Sequence, residues 1–517
     1  MGEHVIRTTG DGELKSPTVE GVDQIVQDAV AAGSIVIYFH GGLVTEKSGV
    51  EIAERLGKEF TGAGAYPIHI VWQSGWYEVI RNNLFEIAKE ELFDRLLKRV
   101  VSWAVGKARV TDGGRGVALP PEQSVQDELA RRKRKDDPEA GAEPFADEPT
   151  EHAAPLTAED EDAFVRDIQT DQDLNRALAG ALAASNVAMN QEGSRGVPDV
   201  PPEPTRMDPA VLAEIGEGIG PDGARGGLSI VAFAKKAFQV LTAVVGRFRD
   251  GTDSGMYPTV VDELLRAFYI GDAGGALWDA MKQETADTFA ADGNRGGRLL
   301  LDALSRELPA DGSVKITLIG HSTGAVFIDN LLREVVRRRE KGDSPLPEKT
   351  RFQVLLLAPA STTTHFAETL AIARPLIDRF RVFTMDDEHE RADRVAGAVY
   401  PRSLLYLVSG ALERDSKEAS AMVPVLGMAR YFDSKSAGLK KLVGSPLGTS
   451  AKLKAVGEYL AQQDFVVLSP SADGAKDGFR TGATSHGSFD NEPLVVASVV
   501  HLIRDYAEDP GEPERRP

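Results

Sequence analysis

Cysteine is absent from all 517 residues, which excludes disulfides, thiolate metal sites, iron–sulfur clusters and a cysteine nucleophile together. Basic residues are in deficit: 59 Lys and Arg stand against 79 Asp and Glu, for a formal charge of −20 and a pI near 5.0. A surface of that sign repels polyphosphate, so non-specific nucleic-acid binding is disfavoured. The one basic run, 131–135, sits among acids and does not change this expectation. No internal repeat and no sustained heptad pattern is present. The first residues lack a basic segment followed by an apolar one, so no secretory signal is expected and the cytoplasm is the default location.

Long apolar runs are also lacking. The best candidate, 228–246, carries Lys235 and Lys236 at its centre. A lysine at mid-bilayer costs ~2.5–3.5 kcal/mol, so two cancel most of what the apolar residues contribute. Ile230, Phe233, Ala234, Phe238, Leu241, Val244 and Val245 recur at helical spacing. The segment therefore reads as an amphipathic helix, buried or forming a lid; a peripheral membrane contact through it is the second reading.

With 42% hydrophobic residues the chain can build a sizeable core, and its length exceeds one minimal domain. The run 34–39, Ser-Ile-Val-Ile-Tyr-Phe, reads as a buried strand, 50–60 as a helix and 66–72 as another buried strand, which opens a parallel α/β sheet. Trp76 to Val100 has the spacing of one long amphipathic helix. From 107 to 162, and again from 190 to 227, the chain turns to Pro, Gly and charge with few large apolar residues, and disorder is expected. Helical patterns return over 228–308. The sheet resumes at 314–319, 352–357 and 379–384, with a last strand at 464–468.

The strand at 314–319 runs directly into Gly320-His321-Ser322-Thr323-Gly324 and then an apolar helix. A nucleophile on such a sharp strand-to-helix turn needs strained backbone angles and no bulk on either flank, which the two glycines allow. The helix N-terminus also directs amides at a developing oxyanion. On these residues the chain resembles the α/β-hydrolase superfamily of serine esterases and lipases. The family carries an oxyanion loop, often His-Gly, after an upstream strand; His40-Gly41-Gly42 follows strand 34–39 here. The resemblance implies an oxyanion hole formed by the amide of Thr323 and one from Gly41 or Gly42, with His40 orienting the loop.

A serine hydroxyl needs a base to accept its proton. Of nine histidines, His486 lies in a loop after the last strand and before a helix with Pro493 in its first turn, where the resemblance places the catalytic histidine. The triad acid belongs between 322 and 486 in the family order Ser…Asp/Glu…His. Two places fit, Asp386-Asp387 after strand 379–384, and Glu413 or Asp415. The second follows a stretch with helical spacing after Pro401, so Asp387 is preferred and Asp386 comes next.

The fold expected is α/β: a mostly parallel α/β-hydrolase sheet with helices on both faces and a large, mainly helical cap insertion containing disordered linkers. Core segments are 1–72 and 314–507, the cap is 73–313, and 508–517 is a disordered tail. The four tryptophans lie at or inside the cap; they are core residues or, less often, lining for an acyl pocket. The expected activity is cleavage of a carboxylic ester, small-molecule or lipid, through an acyl-enzyme on Ser322, with no cofactor and no metal. A thioesterase, acyltransferase or peptidase on the same triad is the alternative, and a non-catalytic scaffold on a hydrolase core is the reading from another class.

Overall fold

The computed structural model describes residues 4–42, 44–72, 76–109, 119–131, 144–148, 150, 153–190, 205–217, 227–269, 273–397, 399–413, 422–462 and 464–509. Eight strands form one sheet: β1 (Val5–Thr8), β2 (Leu14–Ser16), β3 (Ser34–Phe39), β4 (Tyr66–Val71), β5 (Lys315–His321), β6 (Phe352–Leu357), β7 (Ile377–Met385) and β8 (Val466–Ser469). Their order is β2-β1-β4-β3-β5-β6-β7-β8, and every pairing is parallel except β1 with β2. The six strands expected from sequence are present within two residues at each end. The edge strand β2 and its neighbour β1 were not expected; at three and four residues they are too short for a periodic signal.

Alternation along β3 explains the layering. Ile35, Ile37 and Phe39 enter one core, whereas Val36 and Tyr38 enter another on the opposite face. Helix α1 (Val19–Ala32) packs on the first face, capped by the Thr18 side chain and ended by left-handed Gly33. Helix α2 (Glu46–Gly62) follows β3 and packs Leu56 and Phe60 on the second.

Between β4 and β5 the chain builds helices α3 (Trp76–Ile87), α4 (Glu91–Ala108), α5 (Glu122–Arg131), α6 (Ala158–Thr170), α7 (Gln172–Asn190), α8 (Pro209–Glu217), α9 (Gly227–Asp250), α10 (Met256–Leu264), α11 (Ala273–Asp287) and α12 (Gly296–Glu307). The single helix expected over 76–100 is two, broken at Ala88-Lys89-Glu90. Helix α9 spans the lysine-bearing segment and buries Phe233, Leu241, Val244 and Phe248 against α4, α6 and α10; it is a core helix of the insertion. Among the described residues no helix is long and apolar enough to cross a membrane. Helix α12 packs on α1, so the insertion returns to the sheet before residue 313.

The expectation of disorder over 107–162 fails where the structure describes that segment. Helix α5 forms, and Lys107 Nζ lies 2.7 Å from Asp160 Oδ2 in a mostly buried ion pair. Asp160 also closes a capping box with Thr157 at the start of α6. The Lys107–Asp160 pair adds to apolar burial within the segment, where Val125, Leu129 and Phe145 enter the core. Helix α8 likewise overturns disorder within 190–227. Residues 110–118, 132–143, 191–204 and 218–226 of these expectations, and the tail from 510, lie outside the described residues.

After β5 come α13 (Gly324–Lys341), α14 (Thr363–Ala373), α15 (Asp387–Ala392), α16 (Leu404–Leu407), α17 (Ala437–Lys441), α18 (Ala451–Leu460) and α19 (Pro493–Ala507). Helix α13 joins the α1 face, and α19 joins α2 on the other. The chain therefore leaves β3 and β5, which are neighbours, toward opposite faces. Divergence at adjacent strand ends opens a crevice at their carboxyl edge.

Candidate active site

Ser322 stands at that crevice, in the turn between β5 and α13. Its φ of 53° is left-handed, an uncommon conformation for a residue with a side chain. The turn is held by bonds from the Ser322 amide to Leu357 O (2.9 Å) and from the Ala360 and Ala325 amides to Ser322 O (3.0 Å each). Its glycines are sterically required. A Cβ on Gly320 would lie 2.6 Å from Gly324 O, and one on Gly324 would lie 2.2 Å from Phe39 O.

The hydroxyl of Ser322, 2% exposed as a residue, lies 2.9 Å from His486 Nε2. The structure thus brings together two groups 164 positions apart in sequence. Burial, with the nearby His321 ring adding to it, holds the His486 imidazolium far below the ordinary histidine range, so the ring is a free base. Its Nδ1 is buried with no hydrogen-bond partner.

The loop after β3 arrives from the adjacent strand. A Cβ on Gly41 would sit 3.2 Å from Ser322 Cβ, and one on Gly42 would meet Thr323 Oγ1 at 2.9 Å, so both glycines lie against the elbow. Among the described residues, the amides of Gly41, Gly42 and Thr323 have no backbone acceptor. His40 fixes the loop as the sequence suggested. Its Nε2 accepts from the Trp72 amide at 3.2 Å, which leaves Nδ1 to donate to Gly41 O at 2.8 Å. The ring stacks on Trp72, and burial lowers its pKa to about 4, so it is neutral and set in one tautomer.

The preferred acid, Asp387, is not brought to the histidine. Its carboxylate accepts from Tyr406 Oη at 2.7 Å and Ser436 Oγ at 3.2 Å, and Arg430 Nη1 donates to the same Tyr406 oxygen at 3.3 Å. Arg430 also donates to Asp253 O and Gly251 O, so Asp387 belongs to a buried network that joins the insertion to the segment between β7 and β8. Asp386 caps α15 through the His389 amide and pairs with the His389 ring. Glu413 accepts from Trp278 Nε1 and Lys282 Nζ, and Asp415 lies outside the described residues.

A carboxylate bonded to the His486 main chain is that of Asp393, just past α15. Its Oδ2 accepts from the main-chain amide of His486 at 2.9 Å and its Oδ1 from the Arg394 amide at 2.8 Å. Burial raises its pKa above the ordinary aspartate range. Sequence reasoning stopped at the strand end and passed over the six-residue helix that separates β7 from this loop. The only signal was an acid one helical turn further along the same connection.

Gly41, Ser322, His486 and Asp393 open onto one cleft of about 450 Å³, with Val44, Ile52, Val395 and Leu404 as apolar walls and Arg55, Arg394, Asp490 and Asn491 among its polar ones. Among the described side chains, no tryptophan lines it. Trp72 stacks on His40, Trp103 donates to Asp167 and Trp278 to Glu413, while the Trp76 side chain is outside what is described. No group of three or more His, Asp or Glu at ligand spacing exists among the described residues. No protein-family model, curated protein or solved structure matches this chain.

Proposed function

We propose that this protein is a serine hydrolase of the α/β-hydrolase type that cleaves carboxylic esters through an acyl-enzyme on Ser322. The observation that carries the reading is the 2.9 Å approach of His486 Nε2 to the hydroxyl of a serine held at positive φ on a strand-to-helix turn. A structural serine needs neither the strain nor a buried free imidazole beside it.

In the proposed reaction His486 Nε2 takes the Ser322 proton as Oγ bonds to the ester carbonyl carbon. The resulting oxyanion is held by the amides of Thr323 and of Gly41 or Gly42, which have no backbone acceptor among the described residues. His486 then returns the proton to the alcohol oxygen as the acyl C–O bond breaks. Water enters, loses a proton to Nε2, and frees the acid as Oγ is reprotonated. For Nε2 to act as base, the ring proton sits on Nδ1. Asp393, already bonded to the main-chain amide of the same residue, is the carboxylate we assign to it. A turn of that side chain toward Nδ1 on substrate binding supplies the missing partner, since such bonds are often loose in a free enzyme.

The test is labelling by a fluorophosphonate probe together with hydrolysis of p-nitrophenyl esters of increasing acyl length. Labelling of the wild type, abolished in Ser322→Ala, is the expected outcome, with preference for short to medium acyl groups given the cleft volume. Absence of labelling and of hydrolysis across the series refutes the proposal.

A further inference from the structure

The cleft that opens onto Ser322 carries two guanidinium groups, and the reaction above uses neither. Arg55 reaches it from α2 and Arg394 from the loop after α15. Arginine stays charged throughout the range in which enzymes work. Arg55 is already matched: its Nη1 donates to Asp490 O at 2.6 Å, and its Nη2 lies 3.7 Å from Asp490 Oδ1. Arg394 is not. Its side chain is exposed and has no hydrogen-bond or ion-pair partner among the described residues. Its main chain is nevertheless fixed, the amide donating to Asp393 Oδ1 at 2.8 Å. Asp393 Oδ2 takes the His486 amide at 2.9 Å, so one carboxylate sets the backbone of the base and of this arginine together.

Counting charge around the cleft leaves one cation over. Asp490 is offset by Arg55 and by Tyr38 Oη, which donates to its Oδ2 at 3.3 Å, while Asp393 accepts the two amides. The Arg394 guanidinium remains, a planar fork of donors that matches a carboxylate bidentately. Val395 and Leu404 line the same cleft with apolar surface, suited to a short hydrocarbon chain between two polar ends. A dianion such as a phosphate monoester would meet Asp393 and Asp490 with a single unmatched cation to offset it, so a monoanion is the better fit. Resting on the hydrolase reading, we propose that the substrate is a carboxylic ester bearing a second, free carboxylate, and that Arg394 is the specificity-determining residue that binds it.

The test compares esters matched in length and differing in charge. Mono-p-nitrophenyl adipate against p-nitrophenyl hexanoate reads the acyl side, and 3-carboxyphenyl acetate against phenyl acetate reads the alcohol side. For one of these pairs, the ratio of kcat/KM for the anionic ester to that for the neutral one is expected to fall about tenfold in Arg394→Gln, with part of the loss restored in Arg394→Lys. A ratio cancels changes in folded fraction, so a purely structural role would not move it. Lys454→Gln, which removes the same charge from α18 outside the cleft, should leave both ratios at the wild-type value. A second measurement needs no turnover. In Ser322→Ala, ligand-observed NMR should show monomethyl adipate losing about tenfold in affinity when Arg394→Gln is added, and dimethyl adipate losing less. Ratios unmoved in both pairs, or equal losses for the two adipates, overturn the inference while leaving the hydrolase reading intact. Absence of Ser322-dependent labelling and of all ester hydrolysis fails that reading instead, and the binding measurement still decides whether Arg394 holds a carboxylate.

Discussion

Substituting in turn Asp387, the first residue of α15, and Asp393, just past its end, separates a site residue from a framework residue. Asp393→Ala removes a carboxylate that accepts two main-chain amides, at 2.8 and 2.9 Å, one of them from His486. Hydrogen bonds to a charged acceptor contribute roughly 1.5–3 kcal/mol each, so the 485–487 turn loosens and His486 loses the acid assigned to its ring. Turnover per folded molecule is expected to fall by about 10²–10⁴, equivalent to roughly 3–5 kcal/mol of transition-state stabilisation. Asp387→Ala deletes the acceptor of Tyr406 and Ser436 instead, about 2–4 kcal/mol of stability, with turnover per folded molecule within about threefold of wild type. Urea unfolding followed by tryptophan fluorescence gives the first quantity, and initial rates on a p-nitrophenyl ester, corrected for folded fraction, give the second. Burial raises the Asp393 carboxyl, so its anion is lost on acidification at a higher pH than an exposed aspartate would give. The assignment fails if folded Asp387→Ala loses as much turnover as Asp393→Ala.

Gly324→Ala drives a Cβ to 2.2 Å from Phe39 O, backbone against backbone, and is expected to cost about 1–3 kcal/mol or more and to slow fluorophosphonate labelling. Gly180→Ala in α7, with open space around the site, gains about 0.5–1 kcal/mol in the same unfolding assay. His69 is buried between Tyr38 and Phe60 with both ring nitrogens unpartnered and its pKa lowered to about 3. Because the unfolded chain binds that proton first, wild type loses stability as pH falls below 6.5, by up to about 1.4 kcal/mol per unit; His69→Phe should raise Tm, and by more at pH 5 than at pH 8. Asp329, buried under the Ser361 hydroxyl, has its pKa raised to about 7. The folded state therefore holds a proton that the unfolded state releases above 3.8, and wild type loses stability as pH rises toward 7. Asp329→Asn cannot ionise, so its Tm relative to wild type should be higher at pH 8 than at pH 4; an equal difference at both would contradict this.

Sequence legibility followed the range of the forces involved. The strands β3 and β6 were readable because a strand buried on both faces is largely apolar, as residues 35–39 and 354–357 are. The elbow was readable because backbone sterics between Gly320, Gly324 and Phe39 act within one turn and on one neighbouring strand. Disorder over 107–162 was misjudged because composition weighs apolar residues and omits specific charge pairs; Lys107–Asp160 unites residues 53 apart. The place of Asp387 in the buried network was not legible for a related reason. Asp386, Asp387 and Asp393 are equivalent to a reading by chain order, and what separates them is which one Tyr406, Ser436 and Arg430 claim.

The position of the cleft follows from topology before any catalytic residue is considered. Because β3 and β5 are neighbours whose following helices, α2 and α13, pack on opposite faces, a crevice opens at their carboxyl ends, where the loops at 40–42 and 322–323 lie. Only the proposed base and the two aspartates bonded around it come from outside that pair of strands. His486 and Asp490 arrive on the connection after β8, and Asp393 on the connection after β7, two and three strands away from β5. The histidine loop must therefore be tied to the elbow by contacts of its own. His321 bonded to His486 O, and Asp490 bonded to Tyr38 of β3, are those ties. An elbow residue chosen only for size would remove the His321 tie and leave the His486 turn held by Asp393 and, through Asp490, by Tyr38 and Arg55.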